Sequence, residues 1–231
     1  MIFISTPFSR QAVDRLVRFK VPAFKIGSGE CNNYPLIEYI ARHKKPVILS
    51  TGMNTIDSIK PSVKIFEKYK IPYALMHCTN VYPTPTKLIR LQAILELKKY
   101  FPKAILGLSD HSKTIYPCIG AIALGASIIE KHFVDNKNRV GPDISASMDG
   151  NELKNLMLAV NEVHLAKGNY KGPVKEEKST INFAFASLVT TKNINKGEKL
   201  TIKNIFPKRP GIGDFKAKDY NKIIGKKAKR F

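Results

Sequence analysis

Val47-Ile48-Leu49-Ser50-Thr51-Gly52 is a short strand-forming run that stops on hydroxyls and a glycine, and the same construction returns along the chain. Apolar, often β-branched runs over residues 2–5, 23–26, 47–50, 73–77, 105–108 and 127–131 each close on a polar cluster. The clusters are Ser5-Thr6-Pro7-Phe8, Lys25-Ile26-Gly27-Ser28-Gly29-Glu30, Ser50-Thr51-Gly52, His77-Cys78-Thr79-Asn80, Ser109-Asp110-His111 and Glu130-Lys131-His132. Amphipathic segments at 35–44, 56–69, 91–100 and 116–124 fill intervals between them. A last one, 151–167, carries Leu153, Leu156, Met157, Val160 and Val163 at helical spacing. Strand-length runs alternating with helices are βα units on a parallel sheet, an α/β fold. Every strand then ends on the same side, which is the active face of a βα barrel or the strand-end crevice of an open sheet. One polar cluster is as readily a plain loop or helix cap; six in register define a face. Six units do not close an eight-stranded barrel, so the pattern implies an open sheet or a barrel with about two units upstream.

After Gly168 the character changes. Lys171-Gly172-Pro173 reads as a linker, and the runs at 183–191, Asn195-Lys196-Gly197 and Lys208-Arg209-Pro210-Gly211 read as a small β-rich second domain. The expected organisation is a partial barrel over 1–170, a linker over 171–180 and a partial second domain over 181–231.

A chain of 231 residues, 43% hydrophobic, buries one sizeable core and a small second one. No stretch approaches the roughly 18 apolar residues of a membrane span. Met1 opens an apolar run without the basic n-region of a signal peptide, so a cytoplasmic protein is expected. Cys31, Cys78 and Cys118 are odd in number and widely spaced, which fits buried thiols and no disulfide framework. Lys and Arg number 39 against 18 acidic residues, a net charge of +21 that attracts anions of any kind. The lysines are spread over nearly every segment, with no aromatic RNA-binding box and no zinc knuckle, which argues against a nucleic-acid partner and for a solvated basic surface.

Two features of the polar face carry chemistry. His111 and His132 end consecutive strands, so their imidazoles are expected side by side, an arrangement suited to a borderline divalent metal with positions left for water and substrate. Either one alone would more often be a structural histidine. Lys25 with Gly27, Ser28 and Gly29 makes a strand-to-loop turn in which backbone N–H groups approach an anion and an ammonium supplies charge. Such a triplet is by itself a common turn, but Thr6, Asn80 and Ser109 from other strand ends could complete an oxyanion shell. Glu30 and Asp143 are the carboxylates placed for sugar hydroxyls or proton transfer, though an isolated acid is as often a cap or surface residue. His77 also ends a strand, while His43 and His164 belong to helices and the surface.

The stretch Phe24-Lys25-Ile26-Gly27-Ser28-Gly29-Glu30-Cys31-Asn32-Asn33-Tyr34-Pro35-Leu36-Ile37 resembles the N-acetylneuraminate (sialic acid) synthase family. Leu49-Ser50-Thr51-Gly52-Met53, His77-Cys78-Thr79-Asn80-Val81-Tyr82-Pro83-Thr84-Pro85, Gly107-Leu108-Ser109-Asp110-His111, Glu130-Lys131-His132-Phe133 and Gly141-Pro142-Asp143 agree in order and spacing. The match continues through Phe183-Ala184-Phe185-Ala186-Ser187 and Lys208-Arg209-Pro210-Gly211. The block Glu30-Cys31-Asn32-Asn33-Tyr34 is more similar to the N-acetylneuraminate branch than to the pseudaminic or legionaminic acid branches.

This resemblance implies a (β/α)8 TIM barrel lacking about its first two βα units, followed by a small, incomplete β-clip domain of the SAF (antifreeze-like) type. It implies condensation of phosphoenolpyruvate with N-acetylmannosamine to give N-acetylneuraminate and phosphate, in a domain-swapped homodimer. His111 and His132 would hold Mn²⁺; Lys25, Ser28, Thr6, Asn80 and Ser109 would bind phosphoenolpyruvate; Tyr82, Phe8 and Glu30 would line the site. Asp143 would meet the sugar hydroxyls, and Phe183 and Arg209 of the partner's small domain would approach the sugar and its N-acetyl group. Catalytic roles fall to Glu30, Asp143 and Lys25. Two other readings stand beside this one: an inactive remnant that binds sugar, phosphate or an intact synthase, and a synthase for a related acid such as legionaminic acid.

Overall fold

The computed structural model of the protein describes residues 1–229, and the chain divides into two compact units, Met1–Gly168 and Asn169–Phe231. The first unit is built on five parallel strands in sequence order: β1 (Phe24–Ile26), β2 (Val47–Ser50), β3 (Tyr73–Cys78), β4 (Ile105–Asp110) and β5 (Ile128–Lys131). Helices α2 (Tyr34–Ala41), α3 (Ile56–Tyr69), α4 (Ala93–Tyr100) and α5 (Tyr116–Ala123) connect them, as parallel neighbours require. The helix starts are chemically marked. Thr55 and Ser58 exchange side-chain and backbone hydrogen bonds at the head of α3, and Asp149 and Glu152 do the same for α6 (Gly150–Ala166).

One core runs through this unit, joining Phe24, Ile26, Leu49, Leu75 and Leu108 of the strands to Ile37, Ile40, Phe66 and Ile94 of the helices. Every residue of β3 is buried, as expected for a central parallel strand covered on both faces. Each large apolar side chain removed from water there contributes about 1.5–3 kcal/mol.

The sheet is strongly curled. Strands four places apart in a flat sheet would lie about 19 Å from one another, yet Lys25 on β1 reaches Glu130 on β5 at 3.5 Å. Among the described residues β1 and β5 each have one sheet neighbour, so five strands form an open part-barrel. A hollow of about 450 Å³ lies along the gap, lined by Ile4, Thr6 and Lys25 on one side and by Ile128, Glu130, Leu153 and Met157 on the other.

The first unit differs from the sequence reading at three places. Residues 2–5 do not form a strand: the amide of Lys25 donates to the Ser5 carbonyl at 3.3 Å, but no ladder continues. Met1, Ile2, Phe3 and Ile4 are exposed, so the run buries little apolar surface against the sheet and gains little from extending the pairing. Met157 does not join the buried face of α6; it faces the hollow and is exposed. A helix absent from the sequence reading, α1 (Arg10–Arg18), covers the sheet with Val13 and Leu16, its charged residues having masked a two-residue apolar stripe.

In the second unit β6 (Ser187–Thr190) and β7 (Ile205–Lys208) pair antiparallel. The run 183–191 is not one strand, because Phe183 belongs to α7 (Lys178–Ala184), which ends just before β6. A 3-10 turn at Lys175–Glu177 precedes α7, and α8 (Tyr220–Ile223) follows the hairpin. Among the described residues no helix is long and apolar enough to cross a membrane. The three cysteines are free and buried.

Candidate functional site

Side chains alternate along a strand, so residues two apart share a face. In β4 and the residue after it, Ser109 and His111 therefore face inward while Asp110 faces the helices. In β5 and beyond it, Glu130 and His132 face inward while Lys131 faces outward. The outward pair is nearly sealed from solvent, with side chains 1% and 2% exposed, and Lys131 donates to the Asp110 carboxylate at 2.6 Å. Ser112 adds a hydroxyl hydrogen bond to Asp110, and Lys131 also donates to the Ser112 carbonyl. Asp110 and Lys131 are register partners, so this buried ion pair fixes β4 against β5 at the level where the two histidines begin.

The imidazoles of His111 and His132 lie edge to face with ring centroids 5.3 Å apart. The Tyr82 ring stacks 4.1 Å from that of His111 and 5.9 Å from that of His132. His111 Nδ1 lies 3.2 Å from the Thr79 carbonyl, and His132 Nδ1 lies 3.6 Å from the Asp143 carboxylate. Burial holds His111 below the ordinary imidazole pKa and keeps it neutral at physiological pH. A neutral ring that donates Nδ1–H to the carbonyl leaves Nε2 as a lone pair. The His111 ring thus has an acceptor behind Nδ1, the second-sphere arrangement typical of metal-binding histidine, whereas Asp143 stands near His132 at a distance longer than a hydrogen bond. Among the described residues no group of three or more His, Cys, Asp or Glu side chains is arranged to hold a metal. The donor set fits a divalent ion with two protein nitrogens, its remaining positions left to water and substrate.

The anion-binding candidates form a contiguous cluster beside these rings. Lys25 Nζ donates to Ser50 Oγ at 2.8 Å, and Ser28 Oγ accepts from the amide of Gly52 at 3.0 Å. Asn80 donates to the Tyr82 hydroxyl at 3.3 Å and accepts from the Cys78 thiol at 3.5 Å. Cys78 lies 3.8 Å from His111 Nδ1, joining the two halves of the site. Its pKa is raised mainly by burial, while hydrogen bonds from Ser28 and Ser109 and the nearby Lys25 oppose the rise. Gly52 is required by space: a Cβ there would stand 1.8 Å from Asn80 Oδ1 and 2.9 Å from Ser28 Oγ. Thr6 lines the same hollow as Lys25.

Other candidates make their contacts outside this cluster. Glu30, in the 3-10 turn after β1, accepts from Asn33 at 2.6 Å. Phe8 is 71% exposed and lines a separate hollow between the starts of α1 and α2, with Arg10, Asn33 and Tyr39. His77 points outward and hydrogen-bonds the Ile89 carbonyl at 2.6 Å, while His43 stacks near Phe24 and Tyr39. Phe183 and Arg209 belong to the second unit, both exposed.

The sequence reading missed Glu130. Its carboxylate accepts from Ser109 Oγ at 2.8 Å and lies 3.5 Å from Lys25, linking two of the anion-binding candidates. The signal was present, since Glu130 stands two residues before His132 on a strand and so shares its face.

The model of the NeuB family matches residues 1–172, and the model of the SAF domain matches residues 185–231. The N,N'-diacetyllegionaminic acid synthase of Campylobacter jejuni is 40% identical over 97% of this chain and 68% of its own length. The human N-acetylneuraminate-9-phosphate synthase is 31% identical over 98% of this chain and 64% of its own. The crystal structure of the N-acetylneuraminic acid synthetase of Leptospira borgpetersenii in complex with citrate superposes with a TM-score of 0.75 at 34% identity, covering 78% of this chain and 64% of that one. The chain spans about two thirds of the length of these relatives. The greater identity to a legionaminic acid synthase removes the preference for the N-acetylneuraminate branch drawn from residues 30–34.

Proposed function

This chain belongs to the NeuB family, and from that premise we propose that it condenses phosphoenolpyruvate with the open-chain aldehyde of a 2-acetamido sugar to give a nonulosonic acid and phosphate. The observation that carries the reading is the continuity of the Lys25, Ser28, Asn80 and Ser109 cluster with the paired imidazoles at the same strand ends. N-acetylmannosamine is the first substrate to consider; the 40% identity to a legionaminic acid synthase favours a diacetamido sugar as the second.

In this reading Lys25, Ser28, Asn80, Ser109 and Thr6 hold the phosphate and carboxylate of phosphoenolpyruvate, with charge-assisted hydrogen bonds giving the strongest contacts. His111 and His132 would hold a divalent ion, taken as Mn²⁺, which when bound supplies Lewis-acid polarisation of the sugar aldehyde. The enol carbon forms the new C–C bond to the aldehyde carbon, water adds at the adjacent oxocarbenium carbon, and the C–O bond to phosphate breaks. Lys25 stabilises the negative charge that grows on the departing phosphate oxygens. Asp143, beside His132, receives the sugar hydroxyls, Tyr82 forms an apolar wall, and Glu30 serves proton transfer at the rim. Phe183 and Arg209 of a second copy cover the sugar and its N-acetyl group in a homodimer.

Incubation of the chain with Mn²⁺, phosphoenolpyruvate and N-acetylmannosamine, followed by thiobarbituric detection of nonulosonic acid, tests the reaction. Parallel incubations with 2,4-diacetamido sugars separate the two substrates. Phosphate binding with no turnover on any sugar would leave the reading of an inactive remnant.

A further inference from the structure

The geometry points to Glu130 as the resident counter-ion of the anion site, a carboxylate that holds Lys25 and Ser109 ready and that an incoming anion must displace. The inference rests on the reading of that cluster as the phosphoenolpyruvate site.

Three observations carry it. The first is register: Glu130 on β5 stands opposite Ser109 on β4, and the curl of the sheet brings it across the opening to Lys25 on β1. One carboxylate therefore spans two donors contributed by strands at different positions in the sheet, with Oε1 on the Ser109 hydroxyl at 2.8 Å and Oε2 facing the ammonium at 3.5 Å.

The second is the contrast in exposure. The Lys25 side chain is 13% exposed, and its other acceptors, Ser50 Oγ and the Ile26 carbonyl, are neutral. An ammonium so placed with no anion beside it would be costly to fold around. Glu130 is 43% exposed, so its carboxylate has water on one side and can leave the site without breaking the core.

The third is identity of donors. Lys25 and Ser109 are the groups a phosphate or carboxylate ligand would use, so Glu130 and the ligand compete for the same hydrogen bonds. A small monoanion offers no more than Glu130 already supplies. A multianion that also engages Ser28, Asn80 and the backbone amides can outbid it. The carboxylate thereby selects against weak anions by occupying the site, a repulsive element of specificity.

The prediction has a definite sign. Removing the charge while keeping the shape, in Glu130→Gln, should tighten the binding of inorganic phosphate by about tenfold, the scale of one displaced charge-assisted contact. Titration calorimetry of the full chain with inorganic phosphate, and separately with phosphoenolpyruvate, reads this. Glu130→Asp retains the charge but draws it back by one methylene, and should tighten phosphate binding by a smaller factor, about threefold. Circular dichroism melting identifies any variant that has lost its fold, and the two substitutions provide independent measures. Phosphate affinity equal to or weaker than that of the parent chain, in a folded variant, overturns the inference while leaving the anion site standing. Failure of the parent chain and both variants to bind phosphate or phosphoenolpyruvate removes the anion site itself, and the inference with it.

Discussion

The two units of this chain are held together by different chemistry. Met1–Gly168 contains a continuous apolar core in which Phe24, Leu49, Phe66, Leu75 and Leu108 are excluded from water. Among the described residues of the second unit, Ile205 is the one buried hydrophobic side chain, and the other interior positions with side chains are polar. Asn204 accepts from the amide of Thr201 at 2.6 Å and donates to the Lys199 carbonyl at 3.0 Å, while Ser187 donates to the Pro210 carbonyl and accepts from the amide of Gly213. A fold of about 60 residues buries little apolar surface, so its turns are tied by side chain to backbone hydrogen bonds instead. Phe183, Phe185, Phe206, Ile212 and Phe215 remain exposed on it. The lesson is that the first unit stores its stability in the core and spends its polar residues on one face, whereas the second spends its polar residues on being folded.

The largest effect is expected where the first unit departs from its own rule, at the sealed Lys131 and Asp110 pair. Lys131→Met leaves a buried carboxylate without its cation and should destabilise the unit by about 3–5 kcal/mol, read as a lowered urea midpoint. Phe66→Ala should cost about 3–5 kcal/mol through loss of burial and the cavity left behind. An effect below 1 kcal/mol there would undo the description of this unit as core-held. Asn204→Ala should cost about 1–3 kcal/mol by orphaning buried backbone groups. Hydrogen exchange should show faster amides over residues 187–228 with those of β2 to β4 unchanged; equal acceleration in both units would erase the contrast drawn above.

The smallest effect is a pH dependence within the first unit. Burial pushes the pKa of His77 below its ordinary value of 6.5, so the unfolded chain takes up a proton more readily than the folded one. The stability tied to neutral His77 is present in full above about 6.5 and is lost as pH falls from there through the lower folded value. His77→Gln, which retains a donor toward Ile89, should flatten the pH dependence of the melting temperature between pH 7 and 5.

Much of the first unit was legible in the sequence because its signals are local. The run 47–50 and the helix 56–69 occur with the ends expected, since β-branched residues, a Thr cap and helical periodicity all act within a few residues of one another. The same holds for the strand-end clusters, which depend on alternation alone. Residues 2–5 misled for the opposite reason: their composition is that of a strand, but a strand is completed by neighbours. The helix over 178–184 was missed because it is short, its first residues Lys178-Ser179-Thr180 read as linker, and Phe183 reads as the opening of a strand-like run.

The positions of Lys25, His111 and His132 at strand ends on one face were determined by sequence alone, because the period of two in a strand and the single polarity of a parallel sheet leave no other place for them. That Glu130 reaches Lys25 from four strands away, and that Asp110 and Lys131 meet behind the histidines, was decided only by tertiary structure. Curl and register are collective properties of the packed sheet, and no short segment encodes how far a sheet bends or which outward side chain finds its partner.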